Sequence, residues 1–192
     1  MTTDSVLPRR RVPGPEAPHD DVPLPKSREH RREHRRSAWR GAAAGLHGVG
    51  AVTAVLLALA AIGAVISEPV LIPSLAASAG VLHSAPTLPM AQPRSVVVAH
   101  LLGAAAGYAA LALWQSNPWS AALAGGLTFA ATTLARTPHS PACATAVVVV
   151  LQTPVPGRFV PLLLGATVVL VIGGFAASRV RRGAARYPVR WW

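Results

Sequence analysis

Between Arg136 and Val150 the chain reads RTPHSPACATAVVVV, with an arginine, a histidine and two prolines set between apolar runs. Pro138 and Pro141 lack an N–H and fix φ, so one unbroken helix cannot run from Leu134 through Ala142. Pro141 suits the first position of a new helix. That helix, Ala142 to about Leu151, carries only Cys143 and Thr145 as polar side chains. Its first N–H groups lack intrahelical partners and point back towards Arg136, Thr137, His139 and Ser140. Amides and dipole together make such a terminus a place for an anion.

Arg94 follows a proline in the run MAQPR, just as Arg136 sits beside a proline break. An arginine at membrane depth costs at least about 2.5–3.5 kcal/mol against lipid, so both are expected to face the bundle interior or water. A guanidinium fork can bond two oxygens of a planar oxyanion at once. His139 and His100 are candidates for a proton-linked step or for hydrogen bonds to a permeant anion. Ser78, Ser140, Thr145 and Gln92 could donate further bonds. The competing reading is that the arginines snorkel to an interface and the hydroxyls bond back to their own helix carbonyls. A metal site from His83, His100 and His139 would lack a carboxylate or second cysteine. A hydrolase built on Ser140 or Cys143 with His139 would lack an acid to orient the histidine. The expectation is therefore no enzyme, no metal and no cofactor.

The elements that position these residues follow from where charge is missing. Of the 18 Lys and Arg and 7 Asp and Glu, residues 41–178 hold only Arg94, Arg136, Arg158 and Glu68. A soluble domain carries about a quarter charged residues, so this stretch belongs in a membrane. Most of the net charge of +11 lies in the flanks of an apolar domain, which points to a lipid surface and away from nucleic acid. With one cysteine no intrachain disulfide can form.

Residues 1–40 read as a disordered basic cytoplasmic tail, 41–178 as the transmembrane domain, and 179–192 as a basic cytoplasmic tail. Leu46–Ile66, Val96–Trp114, Trp119–Ala135 and Phe159–Ala177 are expected to be four membrane-spanning helices. Two shorter apolar segments, 70–83 and 142–152, are expected to form helices starting at Pro73 and Pro141. Gly103 and Gly107, four apart, allow a close helix neighbour. A faint repeat relates AASAGVLHSAP to ACATAVVVVLQTP, each followed by an arginine and a long apolar run. The fold class expected is an all-α membrane protein, four transmembrane helices plus two short broken or re-entrant ones, in two duplicated halves. If the short helices count as crossings there are six, the halves are inverted, and Arg94 and Arg136 share the cytoplasmic side.

HSPACATA resembles the HPPAGATA signature of the HPP family of small integral membrane proteins, and LHSAPTLPMAQPRSVVVAHLLGAAAG is similar to that family's second block. Together they cover about residues 45–178. Ser140 and Cys143 depart from the signature. The resemblance implies four transmembrane helices and, from some plastid and cyanobacterial relatives, transport of nitrite or nitrate. The function expected is a transporter or channel for a small inorganic anion, in the cell membrane with both termini cytoplasmic; a homo-oligomer is one permitted assembly. The alternative is a membrane scaffold or sensor without transport.

Overall fold

Among the described residues, proline starts almost every element. A computed structural model describes residues 27–180 and 185–191, and the chain divides into residues 1–41 and 42–192. Its helices are α1 Ser27–Ile66, α2 Pro73–Ser84, a 3₁₀ turn Pro89–Ala91, α3 Pro93–Trp114, α4 Pro118–Leu134, α5 Pro141–Gln152 and α6 Pro156–Val180. Every element after α1 begins at a proline, whose missing N–H is no loss in a first turn and whose fixed φ suits a helix start. The short helices do begin at Pro73 and Pro141. Of the stretch read as a disordered tail, residues 1–26 lie outside the described residues, and regular helix begins at Ser27.

Left-handed backbone closes four of the helices, with φ of 56° at Ser67, 59° at Gln115, 54° at Arg136 and 47° at Thr153. Asn117 caps α4 by accepting from the N–H groups of Trp119 and Ser120 at 3.0 and 2.9 Å, while Ser120 Oγ accepts from Asn117 N at 3.3 Å. This reciprocal box fixes the tight turn between α3 and α4.

Direction reverses at every connection. α3 and α5 run parallel, since Gly103 lies on Ala142 and Thr145, and Gly107 on Ala146 and Val149. α2 and α6 are parallel to each other: Leu75 shares a cavity wall with Leu163, and Leu82 lies beside Gly174. α1 runs against α6, with His47 Nε2 3.2 Å from the Ala177 carbonyl near one end and Glu68 bridged to Arg158 at 3.3 Å near the other. The half α1–α3 and the half α4–α6 therefore have opposite orientations, the pattern of the six-crossing alternative.

Three helices among the described residues are long and apolar enough to cross a membrane: Gly45–Ile66, Pro93–Trp114 and Pro156–Val180. α4 has 17 residues, and α2 and α5 have 12 each; at 1.5 Å per residue those lengths are about 25 and 18 Å. The bundle's outer surface is apolar, with Val65, Leu113, Trp119, Phe129 and Ile172 all exposed, as suits side chains in hydrocarbon.

α5 approaches α3 so closely that glycine is required on α3. A Cβ at Gly103 would overlap the Ala142 carbonyl oxygen, and one at Gly107 would lie 2.7 Å from Val149 Cβ. Gly126, by contrast, has nothing within 4 Å. Gly103→Ala should lower stability by about 1–3 kcal/mol through overpacking, while Gly126→Ala should be neutral or better. Thermal unfolding of the two variants in one detergent checks this; equal midpoints would refute the close packing.

Candidate functional site

Two hydroxyls on α2, Ser74 and Ser78, stand one turn apart on the same face. Ser78 Oγ is 2.8 Å from the Ser74 carbonyl, 2.9 Å from His100 Nε2 and 2.8 Å from His139 Nε2. His100, on α3, is 2.7 Å from Thr145 Oγ1 through its other nitrogen. Thr145, in the second turn of α5, is 2.9 Å from Ser74 Oγ. His139 Nδ1 lies 2.7 Å from the Met90 carbonyl in the 3₁₀ turn. The imidazole rings meet edge to face with centroids 5.2 Å apart. Ser74, Ser78, His100 and Thr145 are wholly buried and His139 is 2% exposed. The cluster is closed to both ends of the bundle.

Its position follows from the short helices. Ser74 in the first turn of α2 meets Thr145, and Ser78 one turn later meets His139 just ahead of α5. The N-terminal turns of the two short helices thus overlap, antiparallel, with α3 alongside.

His139 reaches the cluster because α4 ends in a tight reversal. Arg136 N donates to the Thr133 carbonyl at 3.1 Å and Thr137 N to the Thr132 carbonyl at 2.9 Å, which is a Schellman closure with Arg136 at its left-handed residue. Glycine is the usual occupant of that position. Arg136 is held there with its side chain exposed. The buried Thr137 Oγ1 next to it has no partner.

Of the eight residues singled out from sequence, Ser78, His100, His139 and Thr145 come together. Arg94 and Arg136 do not join them: both are exposed, and Arg94 reaches the Ala135 carbonyl at 3.5 Å, which puts the two arginines on one face beside the loop that carries His139. Ser140 is exposed and makes no cap bond. The first amides of the short helices are taken within their own turns, Leu75 and Ala76 N by the Ile72 carbonyl, Ala142 N by that of His139 and Cys143 N by that of Ser140. Ser74 was missed, although its spacing of four from Ser78 on a short apolar helix could have flagged it.

Gln92 has a structural task. Its Nε2 donates to the Pro86 and Leu88 carbonyls at 3.0 and 2.9 Å, and its Oε1 accepts from Val189 and Arg190 N at 2.9 and 3.1 Å. One amide thereby ties the loop before α3 to the C-terminal segment. Tyr187 is wedged there against Gly174, and burial raises its phenol above the ordinary range.

The sequence model of the family described as HPP, transmembrane region, matches residues 30–188. The chain belongs to that family. Two transmembrane proteins of Dictyostelium discoideum are similar to this HPP chain, one 35% identical over 136 residues and the other 33% over 135. Each match covers 64% of this chain, and 46% and 42% of the relatives, so this HPP chain spans less than half of their length. No solved structure matches it.

Gln92→Ala should free residues 185–191 while leaving the helices in place, because four bonds to one side chain disappear together. Faster amide exchange at Val189 and Arg190 in detergent or nanodiscs is the expected readout; unchanged exchange would show that the segment is held otherwise.

Proposed function

We propose that this HPP domain is a transporter for a small inorganic anion of the nitrite and nitrate class, working through the crossing of α2 and α5. The observation that carries this reading is the enclosed cluster of Ser74, Ser78, His100, His139 and Thr145 where two short helices of oppositely oriented halves overlap. Burying hydroxyls and imidazoles costs desolvation that apolar side chains would avoid. Short, proline-started helices meeting between inverted halves are the arrangement in which one half rocks against the other and opens a central site to either face.

In this reading α1, α3, α4 and α6 span the bilayer, and α2 and α5 each cover part of its thickness. The start of the apolar part of α1, the end of α6 and the two arginines lie on one face, which the basic flanks make cytoplasmic in the cell membrane. Arg94 and Arg136 then act at the cytoplasmic mouth. They raise the local anion concentration and offer planar forks to an oxyanion, and the polar cluster receives the anion when the halves part. On the opposite face a cavity of about 210 Å³ lined by Glu68, Ile72, Leu75 and Arg158 adjoins the start of α2.

Flux into proteoliposomes tests this with nitrite, nitrate, formate and chloride. Nitrite or nitrate flux above protein-free vesicles is expected; the absence of protein-dependent flux for all four would remove the reading. The double variant Arg94→Ala/Arg136→Gly should carry the anion more slowly at low ionic strength, with the gap closing as salt screens the arginines. Glycine is chosen at position 136 because it takes the left-handed backbone without strain. Equal rates at low salt would take the arginines out of the path.

A further inference from the structure

At the α2–α5 crossing a neutral His139 is one hydrogen short of its contacts. Six contacts hold it together: Ser78 Oγ to the Ser74 carbonyl, to His100 Nε2 and to His139 Nε2; His139 Nδ1 to the Met90 carbonyl; His100 Nδ1 to Thr145 Oγ1; and Thr145 Oγ1 to Ser74 Oγ. Each contact needs one hydrogen. The two carbonyls only accept, and Ser74, Ser78, Thr145 and the two neutral imidazoles bring one hydrogen each.

The location of the missing hydrogen follows from the acceptors. Ser78 must donate to the Ser74 carbonyl, which leaves its contact with His139 to be made by an Nε2–H of that ring. His139 must also donate to the Met90 carbonyl through Nδ1. His139 therefore needs hydrogen on both nitrogens, as an imidazolium. His100 stays neutral with its hydrogen on Nδ1, facing Thr145. Thr145 Oγ1 donates to Ser74 Oγ, so His100 meets Thr145 through Nδ1–H and its Nε2 can only share the Ser78 hydrogen.

A cation alone in that interior is costly. A second proton on the neighbouring ring, 5.2 Å away, is opposed by the first charge. An anion beside the ring would offset the cost. The other titratable groups on the elements packed here are directed elsewhere. His83 of α2 bonds the Ala79 carbonyl, Tyr108 of α3 the Pro154 carbonyl, and Arg158 of α6 bonds Glu68. Arg179 of α6 lies over Phe175, Arg94 of α3 reaches the Ala135 carbonyl, Arg136 is exposed, Cys143 of α5 is half-buried, and α4 carries none.

Resting on the transport reading, we infer that the cluster is the proton site of a proton–anion symport. One proton leaves water on the loading face and forms the second N–H bond of His139 as the anion is enclosed. That N–H bond breaks to water on the other face as the anion leaves, and no electrons move. Each partner makes the other's burial tolerable, so neither is carried alone.

The test uses the full chain in proteoliposomes with the membrane potential clamped at zero, nitrate and nitrite as probes, and an internal pH dye. Initial rates are compared with protein-free vesicles, which removes passive leak of nitrous acid. An inside-alkaline gradient should accelerate protein-dependent anion uptake, and the interior should acidify along with it. His139→Gln and His100→Gln, each shown monodisperse, should lose the gradient-driven component. Anion flux indifferent to the gradient in the wild-type protein overturns the symport and leaves anion transport standing. Gradient-driven flux that survives in both glutamine variants also overturns it. No protein-dependent flux of either anion overturns the transport reading and the symport together.

Discussion

Ser78 has one hydroxyl hydrogen and three polar neighbours within 2.9 Å, and much of the surrounding structure serves to hold them there. Thr145 reaches His100 only because Gly103 lets α5 lie against the backbone of α3. His139 turns inward because α4 closes through a left-handed residue at Arg136 and the chain reverses before α5. The Met90 carbonyl meets His139 because Gln92 fastens the preceding loop. Glycine packing, a helix closure and an amide clamp are separate local devices, and each acts on one contact of the same cluster. Leaving any one of those groups buried without a partner would cost about 1–3 kcal/mol.

The inverted halves give this cluster its meaning. α2 and α5 belong to different halves, run in opposite directions and overlap through their first turns, so the polar contacts bridge the two halves. Movement of one half against the other would stretch or break Ser78–His139 and Ser74–Thr145 before most apolar contacts. In the transport reading, polar groups satisfied when closed and hydrated when open supply a physical basis for two discrete states.

Punctuation was the most legible part of the sequence. Proline in a nearly uncharged apolar chain marks a helix start with little ambiguity, and Pro73 and Pro141 both do so. The membrane class followed from charge alone, and the family from two motifs. Four members of the cluster were legible as polar residues in apolar surroundings. Their grouping depends on contacts 22 to 71 residues apart along the chain, which no local pattern encodes. Arg136 drew attention as a charge, whereas its backbone serves as a turn normally made by glycine. Gln92 looked like a ligand group for the same reason: sequence reveals a polar side chain but not which carbonyls and amides have already claimed it.

The most direct measurement is ¹⁵N magic-angle-spinning spectroscopy of histidine-labelled protein in bilayers, with His139→Gln and His100→Gln used for assignment. As pH falls in the presence of saturating nitrate, His139 is expected to show both ring nitrogens protonated while His100 stays neutral with its hydrogen on Nδ1. Two neutral imidazoles at every pH, with and without anion, would contradict a cluster that is completed by one proton.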